Sequence, residues 1–144
     1  MLRGALQTTL CSKFGIDTDA INLIDDVVLV RDQKDYHLGV HTDLPEKVLS
    51  LLLYLPVDTA ALDAGTSLYE PLEVGRTCLG GPHYNPDEFR EVKRIPYKPN
   101  TAFIFPKSDK SFHGVNKFNG PGTRDLLLYN VYWNNLRNPR TTKI

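Results

Sequence analysis

Tyr36-His37-Leu38-Gly39-Val40-His41-Thr42-Asp43 reads as a β-strand that ends in two metal-ligating side chains. Successive residues of a strand point to opposite faces, so His41 and Asp43 are expected on one face with Thr42 turned away. An imidazole nitrogen and a carboxylate oxygen two residues apart can reach the same divalent ion. A third ligand is offered much later, by His113 in Ser111-Phe112-His113-Gly114-Val115.

Outward from that stretch the chain is a series of short apolar runs cut by turn-formers. Residues 2–14 predict one short helix, with Leu2, Leu6, Leu10 and Phe14 as an apolar stripe. Ile21 to Arg31 predicts a strand with a bend at Asp25-Asp26, and Asp32 to Asp35 a polar turn into the His41 strand. Residues 47–55 predict a strand apolar on both faces, hence covered on both, which Pro56 stops. Further strands are expected at Ser67–Glu70, Phe89–Ile95, Thr101–Phe105, around His113, and at Arg124–Trp133. Residues 71–88, with Gly80-Gly81-Pro82 and Asn85-Pro86, form the one long irregular segment, and such segments in compact domains are often functional. About eight strands with almost no helix after residue 15 predict an all-β sandwich or barrel. The expected organisation is a single domain over 1–144: a helical segment at 1–20, a β core at 21–134 and a loose polar tail at 135–144.

Composition narrows the function. The chain has 144 residues, 41% hydrophobic and 24% charged, with Lys+Arg and Asp+Glu equal at 17 each. A basic excess to hold a phosphate backbone is missing, so a nucleic-acid partner is not expected. Cys11 and Cys78 are too few for a disulfide scaffold and belong to no CxxC pair. The longest apolar run, Leu51 to Leu55, is far short of the ~20 residues of a membrane span. A cytoplasmic protein without a membrane partner is the expectation.

Two histidines and a carboxylate on one side of an ion, with the opposite positions open, is the facial triad of non-haem Fe(II) oxygenases. Arg124 begins the strand after His113, where a buried guanidinium calls for a carboxylate, bidentate by preference. Tyr54 shares a strand face with Ser50 and Leu52. Taken singly, His-x-Asp is also what a strand-end histidine bonded to a turn carboxylate looks like, and Arg124 and Tyr54 have equally plain structural readings.

His41-Thr42-Asp43, Leu52-Leu53-Tyr54-Leu55-Pro56, Gly65-Thr66-Ser67-Leu68-Tyr69, Phe103-Ile104-Phe105-Pro106, His113 and Arg124 together resemble the core of the Fe(II)/2-oxoglutarate-dependent oxygenases, closest to the prolyl-4-hydroxylase-like branch. The resemblance covers residues ~35 to 133, with the blocks in the family's order. It implies a double-stranded β-helix, a cupin-like jelly roll, with a short N-terminal helix. It implies Fe(II) held by His41, Asp43 and His113, the catalytic set. Arg124 and Tyr54 would bind the distal carboxylate of 2-oxoglutarate, which with O₂ is consumed to succinate and CO₂ as a C–H bond is hydroxylated. Asp43 stands where family halogenases carry a small residue, so hydroxylation is the expected outcome.

Departures are Gly-Thr-Ser-Leu where the family has Gly-Gly-x-Leu, and Leu126 where a small residue is usual, narrowing the co-substrate pocket. The segment before the His41 strand is shorter than in many members, so either a minimal member or a scaffold partly missing or supplied by a partner is expected. A homodimer is compatible with the Leu-rich 49–55 strand. The substrate, a small molecule or a peptide, is expected to meet His37 and Gly39, with Gly39 leaving open space near the ion. Arg76, His83 and Tyr84 of the 71–88 segment would fold over the entrance. The competing classes are a cupin-like metal enzyme of another kind and a non-catalytic jelly-roll binding module.

Overall fold

Runs of Val, Leu and Ile punctuated by Pro, Gly and Asp become strands over most of the chain. The computed structural model describes residues 2–15, 17, 22–119 and 122–133. The order is α1 (Leu2–Phe14), β1 (Leu23–Asp32), β2 (Leu38–His41), β3 (Lys47–Tyr54), β4 (Ser67–Pro71), β5 (Phe89–Arg94), β6 (Ala102–Pro106), β7 (His113–Val115) and β8 (Arg124–Trp133). Single 3₁₀ turns occur at Leu62–Ala64 and, within the segment that the sequence reads as irregular, at Pro86–Glu88. The predicted loose tail and the Ile21 start of the first strand lie outside the described residues.

The strands form two antiparallel sheets in the orders β1-β8-β3-β6 and β2-β7-β4-β5. The protein is therefore mainly β, as its pattern predicts. β1 pairs with β8 without interruption from Leu23↔Trp133 to Asp32↔Arg124, so the expected bend at Asp25-Asp26 does not occur. Those carboxylates stay at the surface, where Asp25 accepts a bond from the Tyr129 hydroxyl at 3.0 Å and pairs with Arg3 at 3.5 Å. Polar residues of an edge strand can face water on both sides without breaking the ladder.

One apolar cluster, with Leu52, Tyr54, Ala64, Tyr97, Phe118 and Leu126, fills one end of the space facing the first sheet. A second joins Cys11 and Leu6 of α1 to Leu23, Leu49 and Val131, so α1 covers one end of that sheet's other face. β3 is thus covered on both faces only near Leu49; Leu51 and Leu53 are half-buried. A third cluster packs Val40, Tyr69, Cys78, Phe89 and Phe112 behind the second sheet. Cys11 and Cys78 are both buried and free. Among the described residues, no helix is long and apolar enough to cross a membrane.

Gly65 is the closest backbone crossing, since a Cβ there would sit on the carbonyl oxygen of Ile95. Gly65→Ala is expected to destabilise the fold by about 3 kcal/mol, the upper part of the overpacking range, read as a lowered urea midpoint at unchanged m-value.

Candidate metal centre

His41 closes β2 and lies directly across from His113, which opens β7. Directly opposed residues of an antiparallel pair bring their Cβ atoms to about 4.5–5.5 Å. The two imidazole rings here are 4.3 Å apart, centre to centre. Asp43 comes two residues after the strand has ended, so strand alternation does not place it. The turn does: buried Thr42 donates its hydroxyl to the Cys78 carbonyl at 2.8 Å. Ser50 of β3 then donates to Asp43 Oδ2, and Lys47 Nζ to Oδ1, each at 2.8 Å. One donor atom from each of His41, Asp43 and His113 lies within 4.8 Å of the others. Side-chain rotation can bring such atoms onto one divalent ion.

Both histidines are oriented in the same way. Nδ1 of His41 faces the Gly39 carbonyl, and Nδ1 of His113 the Ser111 carbonyl, each at 2.9 Å. A carbonyl can only accept, so Nδ1 carries the proton and Nε2 keeps its lone pair. Metal-ligating histidines are oriented by such bonds. Burial, reinforced by the neighbouring His113, lowers His41 to a pKa of about 4, and burial likewise lowers His113. For Asp43, burial works to raise the carboxyl, but Lys47, His113 and the Ser50 bond together hold it below the ordinary value. Neutral imidazoles beside a carboxylate form a donor set that suits iron or another first-row metal.

The three side chains open into a cavity of about 250 Å³ lined by residues of both sheets. Leu38, Leu52, Phe105, Val115, Leu126 and Leu128 make it largely apolar. Leu126, flagged in the sequence as narrowing this space, is buried and lines it. Arg124 also lines it, with Asp32 and Tyr36. The Arg124 guanidinium donates through Nε to the Ala64 carbonyl and through Nη1 to Asp32 Oδ2, both at 2.6 Å. Burial, with the Asp32 carboxylate, raises the Tyr36 hydroxyl, while Arg124 counteracts it. Tyr54 is not among the lining residues. Its hydroxyl donates to Thr66 Oγ1 at 2.8 Å and accepts from the Thr66 N–H, so it reaches the cavity only through Thr66.

The expected substrate residues are placed differently from one another. The ladder of β2 is irregular between Leu38 and His41, which breaks strict alternation. Leu38 therefore joins His41 at the cavity, while His37 is exposed outside the strand with only a 3.5 Å approach to the Asp35 carbonyl. The space beside Gly39 is not open: a Cβ there would lie 3.1 Å from His83 Cβ. The 71–88 segment does fold against this edge, through a Val40↔Tyr84 bridge with the Tyr84 N–H donating to the Val40 carbonyl at 2.7 Å. It sets the exposed His83 ring 4.7 Å from that of His41. Arg76 lies over Tyr84 at 4.4 Å and pairs with Glu88 at 2.6 Å, which makes it a brace of this segment.

Sequence reasoning missed Asp32, Tyr36, Lys47, Ser50 and Thr66. Ser50 carried a faint signal, a small polar residue on the apolar face of β3. Lys47 stands four residues from Asp43, within reach across a turn.

No protein-family model matches the chain, and no curated protein matches it. Among solved structures, it is similar to a chain of the structure titled "Bacillus endospore appendages form a novel family of disulfide-linked pili". The two are 13% identical with a TM-score of 0.37, over 78% of this chain and 89% of that one. So slight a likeness carries no argument.

Two outcomes are expected. His41 resists protonation in the folded chain but titrates near 6.5 when unfolded, so its stability contribution is full above 6.5 and is lost as pH falls towards about 4. The thermal midpoint of metal-free protein should drop across that window, less steeply in His41→Asn. Arg124→Ala strands Asp32, whose side chain is 6% exposed, and should cost about 3–5 kcal/mol in urea unfolding.

Proposed function

We propose that this chain is a non-haem Fe(II) oxygenase with a 2-oxo acid as co-substrate, most simply a hydroxylase, built on a double-stranded β-helix. The observation that carries it is the convergence of His41, Asp43 and His113 within 4.8 Å inside a cavity that also holds Arg124. The jelly-roll architecture is supported by the strand orders β1-β8-β3-β6 and β2-β7-β4-β5, in which the chain passes repeatedly between two sheets. The resemblance of the His41, Tyr54, Gly65, Phe103, His113 and Arg124 blocks to the prolyl-4-hydroxylase-like branch points the same way.

Bound Fe(II), with the 2-oxo acid and O₂, would supply the oxidising equivalent that hydroxylates a C–H bond. The chain's own residues prepare the site for it. The Gly39 and Ser111 carbonyls keep both Nε2 atoms as donors and fix the ring orientations. Ser50 holds one oxygen of Asp43 against rotation, and Lys47 neutralises the carboxylate until an ion is present. The apolar wall of Leu52, Phe105, Val115 and Leu128 would disfavour water there, which would protect a reactive centre from side reactions. Arg124 and Tyr36 supply polar N–H and O–H groups in the same cavity. The substrate, a small molecule or a peptide, would approach beside His83 and Tyr84, which line the edge next to His41.

The test is an anaerobic titration of metal-free protein with Fe(II) and a 2-oxo acid, followed by the visible charge-transfer band of the chelated acid. A band that requires both additions and vanishes in His41→Ala and in His113→Ala is the expected result. Folded wild-type protein that binds Fe(II) without ever showing the band would sink the proposal.

A further inference from the structure

The charged groups lining the cavity are Asp32, Asp43, Lys47 and Arg124, and each already has an opposite partner there. Lys47 holds Asp43 at 2.8 Å, and Arg124 holds Asp32 at 2.6 Å. The second pair is the more deeply buried, with side-chain exposures of 3% for Arg124 and 6% for Asp32. It is also built into the sheet, because Asp32 and Arg124 are direct register partners at the end of the β1–β8 ladder. Asp32 has a short side chain on a strand backbone and cannot swing far. Its sequence neighbour Arg31 faces the other way and is held by both oxygens of Asp125, at 2.9 Å each, so it offers no second cation.

We propose that Asp32 sets the choice of 2-oxo acid: the end of the cavity lined by Asp32 and Arg124 carries no net charge, so a 2-oxo monocarboxylic acid is accepted in preference to 2-oxoglutarate. This rests on the oxygenase function proposed above and narrows it. A 2-oxo acid carries one carboxylate beside its keto group, and the ion answers that charge. A second carboxylate, as in 2-oxoglutarate, would need a net cation at the far end. Arg124 with Asp32 presents none. The incoming carboxylate would lie desolvated beside a fixed like charge or would have to break a buried ion pair, and both are unfavourable. An uncharged alkyl end leaves the pair intact and meets the apolar walls formed by Leu52, Leu126 and Leu128. Leu126 takes up room as well as presenting an apolar surface, which also favours a slimmer end group.

The experiment compares two acids of equal chain length, 2-oxovalerate and 2-oxoglutarate. Each is titrated anaerobically into Fe(II)-loaded protein and read by calorimetry and by the charge-transfer band, after calorimetry with Fe(II) alone. The expected result is 2-oxovalerate binding at least about tenfold more tightly. Asp32→Asn keeps the size and a hydrogen bond to Arg124 but removes the charge, and should shift the preference towards 2-oxoglutarate by a similar factor. Wild-type protein that binds 2-oxoglutarate as tightly as 2-oxovalerate, or more so, overturns the proposal and leaves the oxygenase function standing. A well-folded Asp32→Asn variant with an unchanged ratio overturns the role of Asp32. Protein that takes up Fe(II) but neither acid overturns the oxygenase function and this proposal together. The wild-type comparison decides by itself if the variant does not fold.

Discussion

The candidate centre depends on one rung of one ladder, His41 opposite His113. These residues are far apart in the chain, and only the antiparallel pairing of β2 with β7 brings their imidazoles together. A slip of one residue would turn His113 to the other face of the sheet. Several features oppose such a slip. Phe112 is buried against Phe89 and Tyr84 on the opposite side of β7. Gly114 lets the strands approach, because a Cβ there would lie 2.7 Å from the Leu38 carbonyl oxygen. β7 is also paired on its other side, with β4 through Ser67↔Gly114 and Leu68↔His113. A three-residue strand is short, and packing from both flanks is what holds its register.

With that rung in place, the space between the sheets becomes a problem in burying charge. The cavity is lined by two carboxylates and two cationic side chains besides the histidines, and isolated charges in so apolar a place would be costly. They occur as pairs, Lys47–Asp43 next to the histidines and Arg124–Asp32 in the β1–β8 ladder. A pair already formed leaves neither charge isolated, and it would bear on what could bind. A divalent ion entering beside Lys47 must compete with an ammonium for the Asp43 carboxylate. A ligand carboxylate approaching Arg124 must compete with Asp32. Electrostatic neutrality is therefore a condition for folding, and under the proposed function it would also act as a selectivity filter.

Much of the architecture was legible in the residues because it follows from local physics. Branched residues bounded by Pro, Gly and Asp marked the strands to within a residue or two, from β3 ending at Tyr54, just before Pro56, to β8 opening at Arg124. His41, Asp43 and His113 were legible as donors because imidazole and carboxylate are ligand chemistries wherever they stand. The details that failed were those requiring strict alternation or empty space. The irregularity in β2 took His37 off the cavity face, and His83 filled the room that Gly39 seemed to leave. The Tyr54 hydroxyl was engaged by Thr66, a partner twelve residues away that no local pattern announces.

What this sequence determined by itself was which segments become strands, where they stop, and which side chains can ligate, since these depend on backbone sterics and the chemistry of single residues. The tertiary structure alone decided that His41 and His113 share a rung, that Asp43 is held by Lys47 and Ser50, and that Arg124 spends its charge on Asp32. Asp32 and Arg124 stand 92 positions apart, and nothing local marks either as the other's partner. Sheet register, which is a property of the whole packed chain, sets them side by side and so sets the charge that a ligand meets.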